Sequence, residues 1–227
     1  MKSRRSSQGR SLLIVGAGGQ AANAFEVSSA MGLEPVGFID ETDLPERASN
    51  YLDIPVFSSV SYAATTRDVQ YIFVAIGEGW RRAEVTARLR KVHKELEFAT
   101  LVHPSAVVSR KATVGEGSLV MPGAFVGSGA TVGQGVTIGS NAVLAHHCVI
   151  GDFVSIFAGA SIAGGTRIGD RSAVGLNAAI REKTLVGSDV VVGAQSLVLE
   201  DIDDRCVVLG VPGRRVRTRS VEDQYLS

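Results

Sequence analysis

Two of the chain's four histidines, His146 and His147, stand side by side in the stretch NAVLAHHCVIGDF, residues 141–153. An imidazole changes charge near neutral pH, so such a pair suits general-base catalysis or metal binding. It is also compatible with two solvated turn residues. The tract around the pair is otherwise small, apolar and glycine-rich. A second candidate lies far upstream, where Gly16, Gly18 and Ala21 match the loose G-x-G-x-x-G/A pattern and Asp40 follows. A strand, a glycine turn and a helix in that order present backbone N–H groups to a phosphate. The remaining histidines, His93 and His103, fall in a helical stretch and ahead of the apolar tract, so no three-histidine metal set is expected.

These residues must be positioned by the elements that carry them, and a repeat dominates the second half of the chain. From Val108 to Val198 every sixth residue is aliphatic, sixteen times without a slip. The residue two places earlier is small or short throughout, from Ala106 to Ser196, and Gly follows the aliphatic residue in nine of the sixteen hexads. A period of six excludes a helix, whose apolar face recurs at 3.6 residues. It suits a short strand and a tight turn, with residues two apart sharing an inward face. Gly and Asn recur three places after the aliphatic residue, as turn backbone with positive φ requires. One hexad cannot bury its own apolar face, so the hexads must stack into a coil. In this frame His146 falls in the exposed turn of its hexad. His147 takes the left-handed position, so the two rings are expected to diverge. Cys148 points inward as packing.

The first hundred residues read differently. SLLIVGAGGQAANAFEVSSAMGL is a buried strand, a glycine turn and a helix. EPVGFID and DVQYIFVAIG are further strands, and GWRRAEVTARLRKVHKEL has helical spacing. Alternation of this kind implies a small parallel sheet. About ninety residues are too few for a full dinucleotide fold, so a nucleotide-sugar is the ligand of the right size. The expected organisation is a disordered leader over 1–10, a small Rossmann-like α/β domain over 11–101, an all-β coil over 102–206 and a tail over 207–227. Lys+Arg and Asp+Glu number 23 each, which excludes a general basic field for nucleic acid. No apolar run is long enough to enter a membrane as a spanning helix, and two cysteines without metal-type spacing suit the reducing cytoplasm.

The six-residue pattern resembles the hexapeptide-repeat transferases, which implies a left-handed parallel β-helix with three hexads per turn. The domain order narrows this to the bacterial nucleotide-sugar acyltransferases of the sialic-acid O-acetyltransferase (NeuD/PglD-like) group. The resemblance rests on GAGG at 16–19, FID at 38–40, VAIG at 74–77, HPSA at 103–106, HHCVIGDF at 146–153 and LGVPGRRV at 209–216. It implies transfer of acetyl from acetyl-CoA, without a metal, to the amine of a UDP- or GDP-linked 4-amino-4,6-dideoxy sugar for surface glycan synthesis. A sugar hydroxyl as acceptor, and a non-catalytic trimeric scaffold, stay open.

The resemblance also assigns roles. His146 is the catalytic base, and His147 stands where the family has an acidic helper. Ser155 replaces a second histidine near the acetyl group. Gly164 supplies an amide to the thioester, and Leu176 and Ala194 are expected on the same edge, along the pantetheine. Gly18, Gly19, Gln20, Asp40, Glu41 and Gly77 contact the nucleotide-sugar, Gln20 replacing a histidine. Arg81 and Arg82 are expected near the diphosphate. Arg214, Arg215, Arg217 and Arg219 are candidates for CoA phosphates, with a solvated basic tail as the alternative. A homotrimer with each site between two coils is expected.

Overall fold

The computed structural model describes residues 10–40, 50–61, 63, 69–95 and 97–225. The expected leader, apart from Arg10, and Glu41 lie outside them. The N-terminal domain holds β1 (Ser11–Val15), α1 (Gly19–Ala30), β2 (Glu34–Ile39), β3 (Asn50–Tyr51), β4 (Ile54–Phe57), β5 (Tyr71–Val74), α2 (Gly79–Val92) and β6 (Glu97–Phe98). The strands form one sheet in the order β3-β4-β2-β1-β5-β6. All pairs are parallel except β3 with β4. The run Leu12, Leu13 and Ile14 is fully buried, as suits a central strand covered on both faces. Because β1 is flanked by β2 and β5, the loops after β1 and β5 part at the carboxyl end of the sheet and open a crevice there. Gly16 has φ +113°, and a Cβ on it would stand 2.7 Å from the carbonyl oxygen of Ala75. Only glycine lets those two loops approach so closely.

The coil begins with β7 (Leu101–Val102). Sixteen two-residue strands follow, β8 to β23, from Val107–Val108 to Leu197–Val198. Each ends on one of the sixteen aliphatic residues of the repeat. Strands pair in parallel with a step of eighteen residues, as in Val120 with Ile138, Val126 with Leu144 and Val132 with Ile150. Three hexads therefore make a turn, and the chain winds a three-faced prism. The aliphatic column and the small column from Ser118 to Ser196 are both buried inside it. At each corner one residue takes positive φ, in fourteen consecutive hexads from Gly117 to Gln195. Eight of these are not glycine, among them Asn141, His147 and Phe153.

The segment expected as a tail is structured. Cys206–Leu209 (β24) extends the first face of the prism beside the strand Val191–Val192, and Arg214–Thr218 (β25) returns antiparallel to it. The reason is apolar: Cys206, Val207 and Val208 are buried and close the open end of the core. Of the four arginines named as candidates for CoA phosphates, two are held by the protein itself. Arg219 is buried and donates to the carbonyl of Asp189 at 3.0 Å and to those of Val221 and Asp223. Arg217 pairs with Asp223 at 2.9 Å.

The two domains are locked by Arg82, which is 2% exposed. From the first turn of α2 its guanidinium donates to the carbonyls of Ile76 (2.6 Å) and Gly77 (2.8 Å) in its own domain. It also donates to Gly135 (2.7 Å) and Phe153 (3.0 Å) in the coil and to the hydroxyl of Ser155 (3.1 Å). Five planar N–H donors explain why arginine fills this place. Burial pulls its pKa below the ordinary value, while Tyr225 and Glu78 act in the opposite direction. Arg82 is thus a strut between domains and not the diphosphate contact expected from sequence. With its donors engaged by these five protein acceptors, the guanidinium has none to offer a ligand.

Candidate active site

A cleft of about 500 Å³ opens between the glycine loop and the coil. Gly18, Gly19, Gln20 and Gly77 line one side, and Thr137, Ser155, Phe157 and Leu176 line the other. Four of the residues expected at the nucleotide-sugar and two expected at the cofactor are thereby brought together. Gln20 donates from Nε2 to the hydroxyl of Thr137 at 2.9 Å, tying α1 to the coil across the cleft. Ser155 is 3% exposed. Its hydroxyl lies among Arg82 Nη2, the carbonyl of Gly77 (3.3 Å) and the hydroxyl of Tyr225 (3.3 Å), so it supports the wall from behind.

A second cleft of about 390 Å³ adjoins the first through Gly18, at the carboxyl end of β1, β2 and β5. Asp40 and Arg81 line it with Gly16 and Glu84. The two clefts together follow the crevice that the parallel sheet creates, with a backbone cradle at one end and an acid and a base at the other.

His146 and His147 lie elsewhere, on the corner between the second and third faces. Both rings are exposed. His147 has φ 57°, the left-handed backbone expected, and its amide donates to the carbonyl of Ser128 one turn below at 3.0 Å. The rings do not diverge. Nδ1 of His146 stands 3.1 Å from Nδ1 of His147, and the ring centroids are 5.3 Å apart at 77°. On an extended strand neighbouring side chains point to opposite faces. The left-handed φ at His147 departs from that extended alternation at the corner, and the two rings come together.

Gly164 sits one turn above His146, as expected. Leu176 and Ala194 do not follow on that edge. Twelve residues from Gly164 to Leu176 are two-thirds of a turn, which moves Leu176 to the corner between the first and second faces. Ala194 stacks above it there, with the amide of Gln195 donating to the carbonyl of Leu176 at 2.7 Å. His146 and the cleft of one chain therefore occupy different edges of the prism. Among the described residues no group of three or more His, Cys, Asp or Glu could hold a metal ion. No described helix is long and apolar enough to cross a membrane.

Sequence reasoning passed over Thr137, Phe157 and Tyr225. Thr137 and Phe157 border aliphatic repeat positions and emerge once residues are projected at eighteen per turn. Tyr225 carried no local signal. Its hydroxyl accepts from the amide of Gly79 at 2.8 Å, and its own amide donates to Glu78 Oε1 at 3.0 Å.

The chain carries the N-terminal domain model of PglD over residues 11–89 and the C-terminal domain model of GMPPB over residues 97–224. Among solved structures it is similar to the acetyltransferase domain of PglB from Neisseria gonorrhoeae FA1090. Identity is 31% and the TM-score 0.84, over 92% of this chain and 100% of that one. The same domain in complex with acetyl coenzyme A is 32% identical with a TM-score of 0.83, over 91% and 99%. PerB from Caulobacter crescentus, in complex with CoA and GDP-perosamine, is 28% identical with a TM-score of 0.84, over 91% and 97%. No curated protein matches the chain. A small parallel α/β domain ahead of a hexapeptide coil defines a hexapeptide-repeat transferase. The chain belongs, more narrowly, to the bacterial sugar acetyltransferases of that family.

Proposed function

We propose that the protein transfers acetyl from acetyl-CoA to the amine of a nucleotide-linked 4-amino-4,6-dideoxy sugar, with His146 as general base. The observation that carries this reading is the cleft between the glycine loop and the coil, lined by Gly18, Gly19 and Gln20 opposite Ser155, Phe157 and Leu176. Its position at the carboxyl end of a parallel sheet suits a nucleotide diphosphate, with Asp40 as acceptor for a ribose hydroxyl. Two relatives support the substrates, one solved with acetyl coenzyme A and one with CoA and GDP-perosamine.

In the proposed reaction the amine nitrogen attacks the thioester carbonyl carbon and gives its proton to Nε2 of His146. The new C–N bond forms, and the carbonyl oxygen takes up negative charge. The amide of Gly164 is the proposed donor to that oxygen. Collapse of the intermediate breaks the C–S bond, and CoA leaves as the thiol with the proton that His146 returns. Leu176 and Ala194 flank the pantetheine arm on their own edge.

Because His146 and the cleft sit on different edges of one prism, the reading calls for a second copy to complete each site. We assign the protein as a homotrimer in the cytoplasm, where its two free cysteines, Cys148 and Cys206, stay reduced. The test is release of free CoA with GDP- and UDP-linked 4-amino-4,6-dideoxy sugars. Turnover is expected with at least one, and His146→Ala should lower it by at least about a hundredfold. Absence of turnover with every such amine, or unchanged turnover in His146→Ala, overturns the reading.

A further inference from the structure

The short contact between the two imidazoles carries an inference of its own. Nδ1 of His146 and Nδ1 of His147 are 3.1 Å apart, within hydrogen-bond distance. Two lone pairs would repel there and two N–H groups would collide, so one ring donates and the other accepts. Only one of the two arrangements serves a base at His146. If His146 carries its proton on Nδ1, its Nε2 holds a lone pair; if His147 is the donor, Nε2 of His146 is already protonated.

We propose that His147 is the positioning residue for His146, accepting its Nδ1–H and so fixing the tautomer in which Nε2 of His146 is free to take a proton. This rests on the reading of His146 as the base. The backbone supports it. The left-handed φ of 57° at His147 and its amide bond to Ser128 set the ring's origin. A Cβ on Gly129 would stand 2.8 Å from Cδ2 of His147, and one on Gly164 would stand 2.6 Å from Nε2 of His146. Glycines below and above thus leave room for both rings in this one arrangement. No carboxylate occupies the adjoining turns of the corner, which hold Ser128, Gly129, Gly164 and Gly165. The charged residues of that corner, Arg110, Lys111, Glu182 and Lys183, come two turns away.

The acceptor is neutral, and that changes the chemistry of the step. When Nε2 of His146 takes the amine proton, the Nδ1–H···Nδ1 bond becomes charge-assisted and strengthens. His147 therefore favours the transition state without a fixed negative charge. Its own Nε2–H faces outward from the pair.

The experiment compares the full-length protein with His147→Ala, His147→Asn and His146→Ala. Asparagine tolerates left-handed backbone and keeps an acceptor oxygen, and thermal unfolding confirms that each variant folds. The readouts are kcat and the ¹⁵N shifts of the labelled imidazoles, which report which ring nitrogen is protonated. His147→Ala should lower kcat by at least about tenfold, a small share of the loss a wrong tautomer brings elsewhere. His146 should then move from the Nδ1–H to the Nε2–H form, and His147→Asn should recover most of the rate. Wild-type kcat and an unchanged His146 tautomer in His147→Ala, with His146→Ala inactive, overturn the role of His147 alone. A fully active His146→Ala overturns the base assignment instead.

Discussion

The ring of His146 lies directly against Gly164, so that a Cβ added to Gly164 would stand 2.5 Å from Cε1 and 2.6 Å from Nε2. Gly164→Ala must therefore push the imidazole aside. The φ of Gly164 lies outside the left-handed range, so alanine costs little in backbone strain. Kinetics should show kcat lowered by about a hundredfold, the effect of an ångström of misplacement, while the unfolding temperature stays within a few degrees of wild type.

Arg82 holds the two domains together through carbonyls on both sides, at 2.6 Å to Ile76 and 2.7 Å to Gly135. Arg82→Met keeps the volume and leaves those carbonyls without their donor. Loss of a single bond to a charged group costs about 1.5–3 kcal/mol, and several are lost here. Calorimetry should show the α/β domain melting well before the coil, whose buried columns do not involve Arg82.

Tyr225 braces the cleft from the far end of the chain. Its hydroxyl bonds the amide of Gly79 and lies 3.3 Å from both the carbonyl of Gly77 and the hydroxyl of Ser155. Its ring meets Phe157 edge-on at 6.4 Å. Steady-state kinetics on Tyr225→Phe should show KM for the nucleotide-sugar raised several-fold and KM for acetyl-CoA nearly unchanged. Equal rises in both would remove Tyr225 from the acceptor wall.

If two copies share each site, two inactive variants can repair each other. His146→Ala spoils the base, and Gly18→Trp fills both clefts. Mixed, unfolded and refolded together, they should regain a substantial fraction of wild-type turnover, while each refolded alone stays inactive. Failure of mixed oligomers of confirmed composition to turn over would place base and cleft within one chain.

Burial raises the pKa of the Cys148 thiol, so at neutral pH it stays protonated and unreactive. It is fully buried beneath the histidine corner. A disulfide reagent should leave it untouched in the native protein and modify it once denaturant is added.

The prism was legible because its rule is local. One aliphatic residue every six and a small one two places earlier fix which side chains face inward, and the strands fall where that rule puts them. The left-handed corners were legible through Gly117, Gly123 and Asn141, and His147 follows them. What the rhythm does not convey is how corners relate across a turn. Leu176 was placed on the His146 edge although twelve residues reach only the next corner, and the rings of His146 and His147 were expected to part. Arg82 was expected near the diphosphate as a cation beside the nucleotide cleft, and the sequence does not report that backbone carbonyls of both domains are packed against it. Gly18, Gly19, Gln20 and Gly77 were named from the family resemblance, and they line one cleft because the loops after two neighbouring parallel strands meet there.

The unbroken series of left-handed corners has a bearing on how such a protein changes over time. Glycine, asparagine, histidine, phenylalanine, arginine, lysine, aspartate and glutamine all occupy that one backbone setting here, and the strands beside them keep step regardless. The scaffold treats its edge as a row of interchangeable sockets. A new side chain can be tried in any of them, and a new chemistry with it, without asking the interior to move.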